Sequence, residues 1–169
     1  ITEYPLAAAK SVPTAMAAGP DGAVWFIETG GNKIGRIDPT TAKITEHPIP
    51  TPKATPMGTV AGADGAMWFT EASADKLGRL NPATGAITEY PLAAAKSVPT
   101  AMAAGPDGAV WFIETGGNKI GRIDPATGEI KEFPVPSANS VPVFIAPGPD
   151  GALWFTELSG NKIGRVGGI

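Results

Sequence analysis

The feature that most constrains this chain is its self-similarity. The segment ITEYPLAAAKSVPTAMAAGPDGAVWFIETGGNKIGRIDP, Ile1 to Pro39, recurs without a change from Ile87 to Pro125. Between the two, Ile44 to Pro82 reads ITEHPIPTPKATPMGTVAGADGAMWFTEASADKLGRLNP in the same register, and Ile130 to Val166, IKEFPVPSANSVPVFIAPGPDGALWFTELSGNKIGRV, is a fourth copy. The copies begin at Ile1, Ile44, Ile87 and Ile130, a period of 43 residues. An unbroken period of this size means one supersecondary unit stacked on itself, as a solenoid, a propeller or an array. With no linker between copies, the chain reads as one domain of four repeats, 1–43, 44–86, 87–129 and 130–169.

Within one unit, four short strands fit between turn signals: Ile1–Leu6, Thr14–Ala18, Ala23–Glu28 and Lys33–Ile37. The turn GPDG at Gly19–Gly22 has proline and glycine where a type I turn takes them, and Gly30-Gly31-Asn32 marks another tight reversal. The run AVWFIE lacks the alternation of a sheet with one wet face, so both faces of its sheet should be covered. Radially arranged blades cover each sheet on both sides, and four strands in about 43 residues suit a blade. Two internal prolines per unit argue against a helical repeat, and LAAAK at Leu6–Lys10, between Pro5 and Pro13, fits a loop with at most one turn. The expected fold is all-β: a β-propeller with four four-stranded blades per chain.

Phase adds an expectation about assembly. ITEYPL is the strand that follows KIGRI in the repeating order, whereas the fourth copy stops after KIGRV. Two chains could each complete the other's last blade, removing two exposed sheet edges. The expected partner is therefore the chain itself, as a homodimer closing one eight-bladed ring.

Composition narrows the partners further. A net charge of -3 with 13 Lys and Arg spread evenly argues against nucleic acid. No apolar run approaches the ~20 residues of a membrane span and no leader-like start is visible, so a soluble chain is expected, compartment unknown. With no cysteine, thiolate metal sites and disulfides are ruled out.

The run GPDGAVWFIETGGNKIGRI followed by ITEYP, with its variants GADGAMWFTEASADKLGRL and GPDGALWFTELSGNKIGRV, closely resembles the blade of the virginiamycin B lyase family, the streptogramin lyases. The resemblance covers all four units. It implies a propeller, seven-bladed in known members, and for the lyases a magnesium-assisted elimination that opens a cyclic depsipeptide antibiotic at its ester. It also implies histidines and a glutamate from several blades at the ring's mouth. This chain departs from that pattern by having four units and no histidines that match.

The only histidine, His47, occupies a slot that holds Tyr4, Tyr90 and Phe133 in the other units. It is expected to be an aromatic ring packed at an outer blade edge, and a lone histidine makes no metal site without convergent partners. Glu28, Glu71, Glu114 and Glu157 end the WF strand in every unit, facing Lys33, Lys76, Lys119 and Lys162 across a hairpin. Two readings apply to them: a ring of acids holding a cation or serving as bases, or ordinary cross-strand pairs, which a residue repeated in every unit favours. Asp21, Asp64, Asp107 and Asp150 are expected as turn residues, and Arg36, Arg79, Arg122 and Arg165 as ion-pair or carbonyl partners within a blade.

Symmetry breaks in the innermost strand and the loop before it, so a specific ligand would meet Lys10, Met16, Lys53, Met57, Lys96, Met102, Asn139 and Phe144 at the channel mouth. No residue is assigned a catalytic role and no cofactor is expected. The verbatim duplication points to recent amplification or to design, either of which precedes the refinement of an active site. The reading is a scaffold or assembly propeller. Its alternatives are a streptogramin lyase using the Glu ring and magnesium, and a carbohydrate or peptide binder using the repeated loops.

Overall fold

The computed structural model describes residues 1–168. Strands β1 (Pro13–Ala18), β2 (Val24–Glu28), β3 (Lys33–Ile37) and β4 (Ile44–Pro48) form the first antiparallel sheet in chain order. Strands β5 (Pro56–Ala61), β6 (Met67–Glu71), β7 (Lys76–Leu80) and β8 (Ile87–Pro91) form the second, and β9 (Pro99–Ala104), β10 (Val110–Glu114), β11 (Lys119–Ile123) and β12 (Ile130–Pro134) the third. The fourth holds only β13 (Pro142–Pro147), β14 (Leu153–Glu157) and β15 (Lys162–Val166). Each of the first three sheets thus borrows its outer strand from the following repeat. Among the described residues no helix is long and apolar enough to cross a membrane.

The meander and the turn chemistry agree with the residue pattern. Gly22, at φ 76°, closes the GPDG turn, and the Gly19 amide donates to the Ala23 carbonyl at 2.8 Å. The innermost strand bulges against its neighbour in every blade, with the register slipping between Pro13 and Met16 in the first. Such a bulge turns side chains at the rim of a sheet.

The sheets pack face to face. Trp25, Ile27 and Ile34 of the first blade meet Met67, Phe69 and Leu80 of the second. Trp68 and Leu77 meet Val110, Phe112 and Ile123, and Trp111, Ile113 and Ile120 meet Leu153 and Phe155. One face of each sheet, built on its Trp, therefore covers the Phe face of the next, which is why β2, β6 and β10 are apolar on both sides. The inner strands pack in the order β1, β5, β9, β13, and no comparable packing joins β13 back to β1. The four blades form an open arc.

Ile1–Leu6 is not a strand within the single chain, contrary to the sequence expectation, and the fourth blade has three strands rather than four. The reason is the same for both. A strand exists only with a ladder partner, and the free edge of β15 lies at the opposite end of the arc. Tyr4 and Leu6 instead line a groove of about 370 Å³ with Phe26, Ile37 and Ile44, on the uncovered face of the first blade.

Candidate functional site

Glu28, Glu71 and Glu114 are fully buried and Glu157 nearly so. Both carboxylate oxygens of the first three lack a hydrogen-bond partner, as does Oε2 of Glu157. The backbone pairing Glu28 with Lys33 is as the hairpin predicts, but the ion pair is not. The Lys33 ammonium reaches past Glu28 to Glu46 on the outer strand, Lys119 likewise to Glu132, and Lys76 to Glu89 at 2.7 Å. Across a tight hairpin the two side chains share a sheet face, yet the lysine stem is long enough to seek the less deeply buried carboxylate of the outer strand, where an ammonium keeps part of its hydration. Glu71, left behind, is pushed up to about 7, first by burial and then by the charge of Glu89. Glu114 is raised as well, chiefly by burial.

These acids do not converge. Each lies in its own blade, none lines the groove on the first blade or the one between the inner strands, and among the described residues no three His, Asp or Glu side chains gather as a metal site requires. The donor set that a magnesium ion would need is not present in them.

His47 sits on β4, opposite Ile34 across the ladder, with its ring stacked on Trp25 at 5.7 Å. Tyr90 on Trp68 at 5.3 Å and Phe133 on Trp111 at 5.7 Å repeat the contact. Burial, and secondarily the charge of Arg36, lowers the pKa of His47. The aromatic-slot reading therefore holds.

The aspartates do more than turn the chain. The Trp25 indole N–H donates to Asp21 Oδ1 at 2.9 Å while Arg36 Nε donates to Oδ2 at 2.6 Å. The same Trp–Asp–Arg link recurs at Asp64, Asp107 and Asp150. The two donors outweigh desolvation and lower the pKa of Asp21, and they hold Asp150 down at about 2. The arginines are ion-pair partners within the blade, as the sequence suggested. The fixed Asp-to-Arg spacing was the signal for this link.

Sequence reading missed the residues that join one blade to the next. Asn32 Nδ2 donates to the Ile49 and Thr51 carbonyls, and its Oδ1 accepts from the Ala54 amide at 2.8 Å. Asn118 holds the loop after β12 in the same way, and Asp75 accepts from the amides of Lys96 and Val98. Asn32, Asp75 and Asn118 all have φ between 51° and 54°, a left-handed position that Asn and Asp tolerate. Thr29, Thr70 and Thr115 donate to backbone carbonyls of the following inner strand at 2.7 to 2.8 Å.

Of the channel-mouth candidates, Met57, Met102 and Phe144 are brought together, lining a groove of about 440 Å³ with Thr14, Thr59 and Thr100. Met16 lines the groove on the first blade instead. Lys10, Lys53, Lys96 and Asn139 share a left-handed loop position, with φ from 51° to 68°, and line neither groove. The convergent surface carries hydroxyls and apolar groups and no titratable side chain.

Four radially packed antiparallel sheets, with Trp and Phe faces interleaved around bulged inner strands, define the chain as a β-propeller segment. The model of the virginiamycin B lyase family matches residues 1–168, and the chain belongs to that family. It superposes on virginiamycin B lyase from Staphylococcus aureus with a TM-score of 0.94 at 42% identity, covering 99% of this chain and 56% of that one. A catalytically inactive histidine-to-alanine variant of that enzyme, solved with quinupristin, gives a TM-score of 0.95 at 42% identity, with 99% and 56% covered. A streptogramin B lyase structure gives 0.90 at 39% identity, covering 96% of this chain and 53% of that one. The chain thus spans little more than half the length of these relatives. No curated protein sequence matches it.

Proposed function

We propose that this chain is a non-catalytic propeller scaffold, half of an eight-bladed ring that a second copy closes. The observation that carries the reading is the dispersal of its acid–base groups. Elimination at an ester needs a base on one side of the substrate and an acid or a metal on the other. Here the one histidine is packed against Trp25 at a blade edge, the glutamates are buried one to a blade, and the groove between the inner strands carries Thr, Met and Phe. In the relative solved with quinupristin a single histidine-to-alanine change gives an inactive enzyme, which supports reading a chain without a channel-facing histidine as inactive.

The eight-bladed form draws on the repeat itself: four units in one register, with Ile1–Leu6 identical to Ile87–Leu92, whose first five residues form the outer strand β8. It asks each interface to close to about 45° per blade, roughly 6° less than the ~51° of a seven-bladed ring. Incubation with quinupristin and magnesium tests the catalytic half of the proposal. No ring opening above the buffer rate is expected, and opening above that rate would restore the lyase reading.

A second reading, a carbohydrate or peptide binder, draws on the groove around Met57, Met102 and Phe144. Exposed methionine and aromatic side chains beside hydroxyls suit weak binding of a small amphipathic ligand.

A further inference from the structure

Two glutamates of the second blade face one another with a single ammonium to share. Glu71 of β6 is fully buried and neither of its oxygens has a hydrogen-bond donor, yet its carboxyl lies within hydrogen-bond reach of that of Glu89 on β8. Glu89 is already engaged: Oε1 accepts from the Thr51 amide at 2.9 Å, and Oε2 accepts from the Thr51 hydroxyl at 2.8 Å and the Lys76 ammonium at 2.7 Å. Ionised carboxylates are acceptors only, so two that face each other out of water repel. One proton resolves the clash. An O–H on Glu71 offers Glu89 a donor, and two carboxyl groups, one proton and one ammonium together carry no net charge.

The neighbouring blades are built differently at this point. The Thr51 position holds Ala8 in the first repeat and Ala94 in the third, so Lys33 and Lys119 pair with Glu46 and Glu132 and no loop hydroxyl joins them. The Ala54 position holds Ser11, Ser97 and Ser140 in the other repeats; Ser97 sets a hydroxyl near Glu114, and Ala54 offers Glu71 none. Few charges surround the pair. Lys76 and Glu89 act on Glu71, and β5 and β9 carry no titratable side chain. Asp75, in the hairpin after β6, is taken up by the Lys96 and Val98 amides, and Lys53 of the facing loop is exposed.

We infer that Glu71 and Glu89 form a proton-binding site that latches the loop 51–55. With one proton shared, Glu89 is free to hold Thr51 through both of its oxygens. When the Glu71 O–H ionises and its proton leaves to solvent, two charged carboxylates compete for Lys76 and the Thr51 contacts slacken. Burial opposes the charge of either group. At Glu89 the Lys76 and Thr51 donors outweigh it and keep the pKa below the ordinary value, whereas at Glu71 burial prevails, so the exchangeable proton is that of Glu71. The loop is built to respond: Lys53 and Thr55 take left-handed φ values of 55° and 54°, a strained position for a β-branched residue. It leads into β5, whose Met57 and Thr59 line the groove between the inner strands, and the proton therefore acts at the entry to that groove. The first two blades supply every residue of the latch.

Carbon-13 shifts of the glutamate carboxyls, followed in the full chain from about pH 5 to about pH 9, test this without a substitution. The Glu71 carboxyl should titrate close to neutral pH, and the Glu89 carboxyl and the Thr51 amide should move with the same midpoint, as coupled sites do. Across that step the protection of the Thr51 amide from exchange, corrected for the pH dependence of the intrinsic rate, should fall about tenfold, as expected for loss of one hydrogen bond to a charged group. Glu71→Gln, whose amide N–H stands in for the acid O–H, should keep Thr51 protected throughout and abolish the step at Glu89. A Glu71 midpoint near the ordinary 4.5, a Glu71 step to which Glu89 does not respond, or equal protection of Thr51 on both sides of it overturns the latch. So does a Thr51 amide that loosens with pH in Glu71→Gln.

Discussion

At the scale of single residues, the two groups that look most like catalysts are both accounted for by packing. His47 is an aromatic spacer on Trp25, and its lowered pKa means that the folded state resists its protonation. Its contribution is complete above the unfolded value near 6.5 and is lost as pH falls below it. His47→Tyr should therefore leave the fold intact, with stability equal at pH 7.5 and higher at pH 5 in urea melts. A loss of several kcal/mol would reveal a specific partner for the imidazole. Glu71 has the opposite sign. Its folded pKa of about 7 lies above the ordinary 4.5, so the folded state holds the proton more tightly and stability falls as pH rises from about 4.5 to 7. Glu71→Gln removes that dependence. Relative to wild type, the variant should gain on the order of 2 kcal/mol between pH 4 and pH 8, whatever fixed cost the amide brings. An unchanged difference across that range would place the charged carboxylate in a site that solvates it.

At the scale of the blade, the sequence was legible where a turn or an alternation specifies geometry and opaque where two side chains compete for one partner. GPDG, the Gly–Asn hairpin and the unalternating VWFIE run each mark a local conformation, and all four strands of the second, third and fourth repeats fall where those signals put them, as do three of the four in the first. Which glutamate Lys33 would choose could not be read, because Glu28 and Glu46 lie on adjacent strands within reach of one flexible stem, and burial decides between them. The loop-holding role of Asn32 was opaque for a related reason: its partners, from Ile49 to Ala54, belong to the next blade. Packing within a blade also rests on close approaches that the repeat encodes as glycine, Gly78 lying opposite Phe69 across the β6–β7 ladder. A Cβ on Gly78 would lie 2.0 Å from Cζ of the Phe69 ring, which is itself fully buried. Gly78→Ala should cost about 1 to 3 kcal/mol through displacement of that ring, read as a lower urea midpoint with an unchanged slope. A cost below about 0.5 kcal/mol would mean that the Phe69 ring shifts more freely than this packing implies.

At the scale of the whole molecule, everything turns on the two ends of the arc. The first blade leaves Phe26, Ile37 and Ile44 facing a groove shared with Tyr4 and Leu6, and the fourth leaves Ile163, Phe144 and Leu158 open to water. Large apolar faces of this kind are rare on stable monomers, and an unpaired edge beside them invites association. A second copy related by a two-fold axis would cover both faces and both edges at once, so the interface would be obligate and insensitive to dilution through the micromolar range. The solution mass of the 169-residue chain is the most direct test, by light scattering or native mass spectrometry at a few micromolar. The account predicts about 34 kDa, twice the 17.2 kDa of one chain, and a stable, folded 17 kDa species would contradict it.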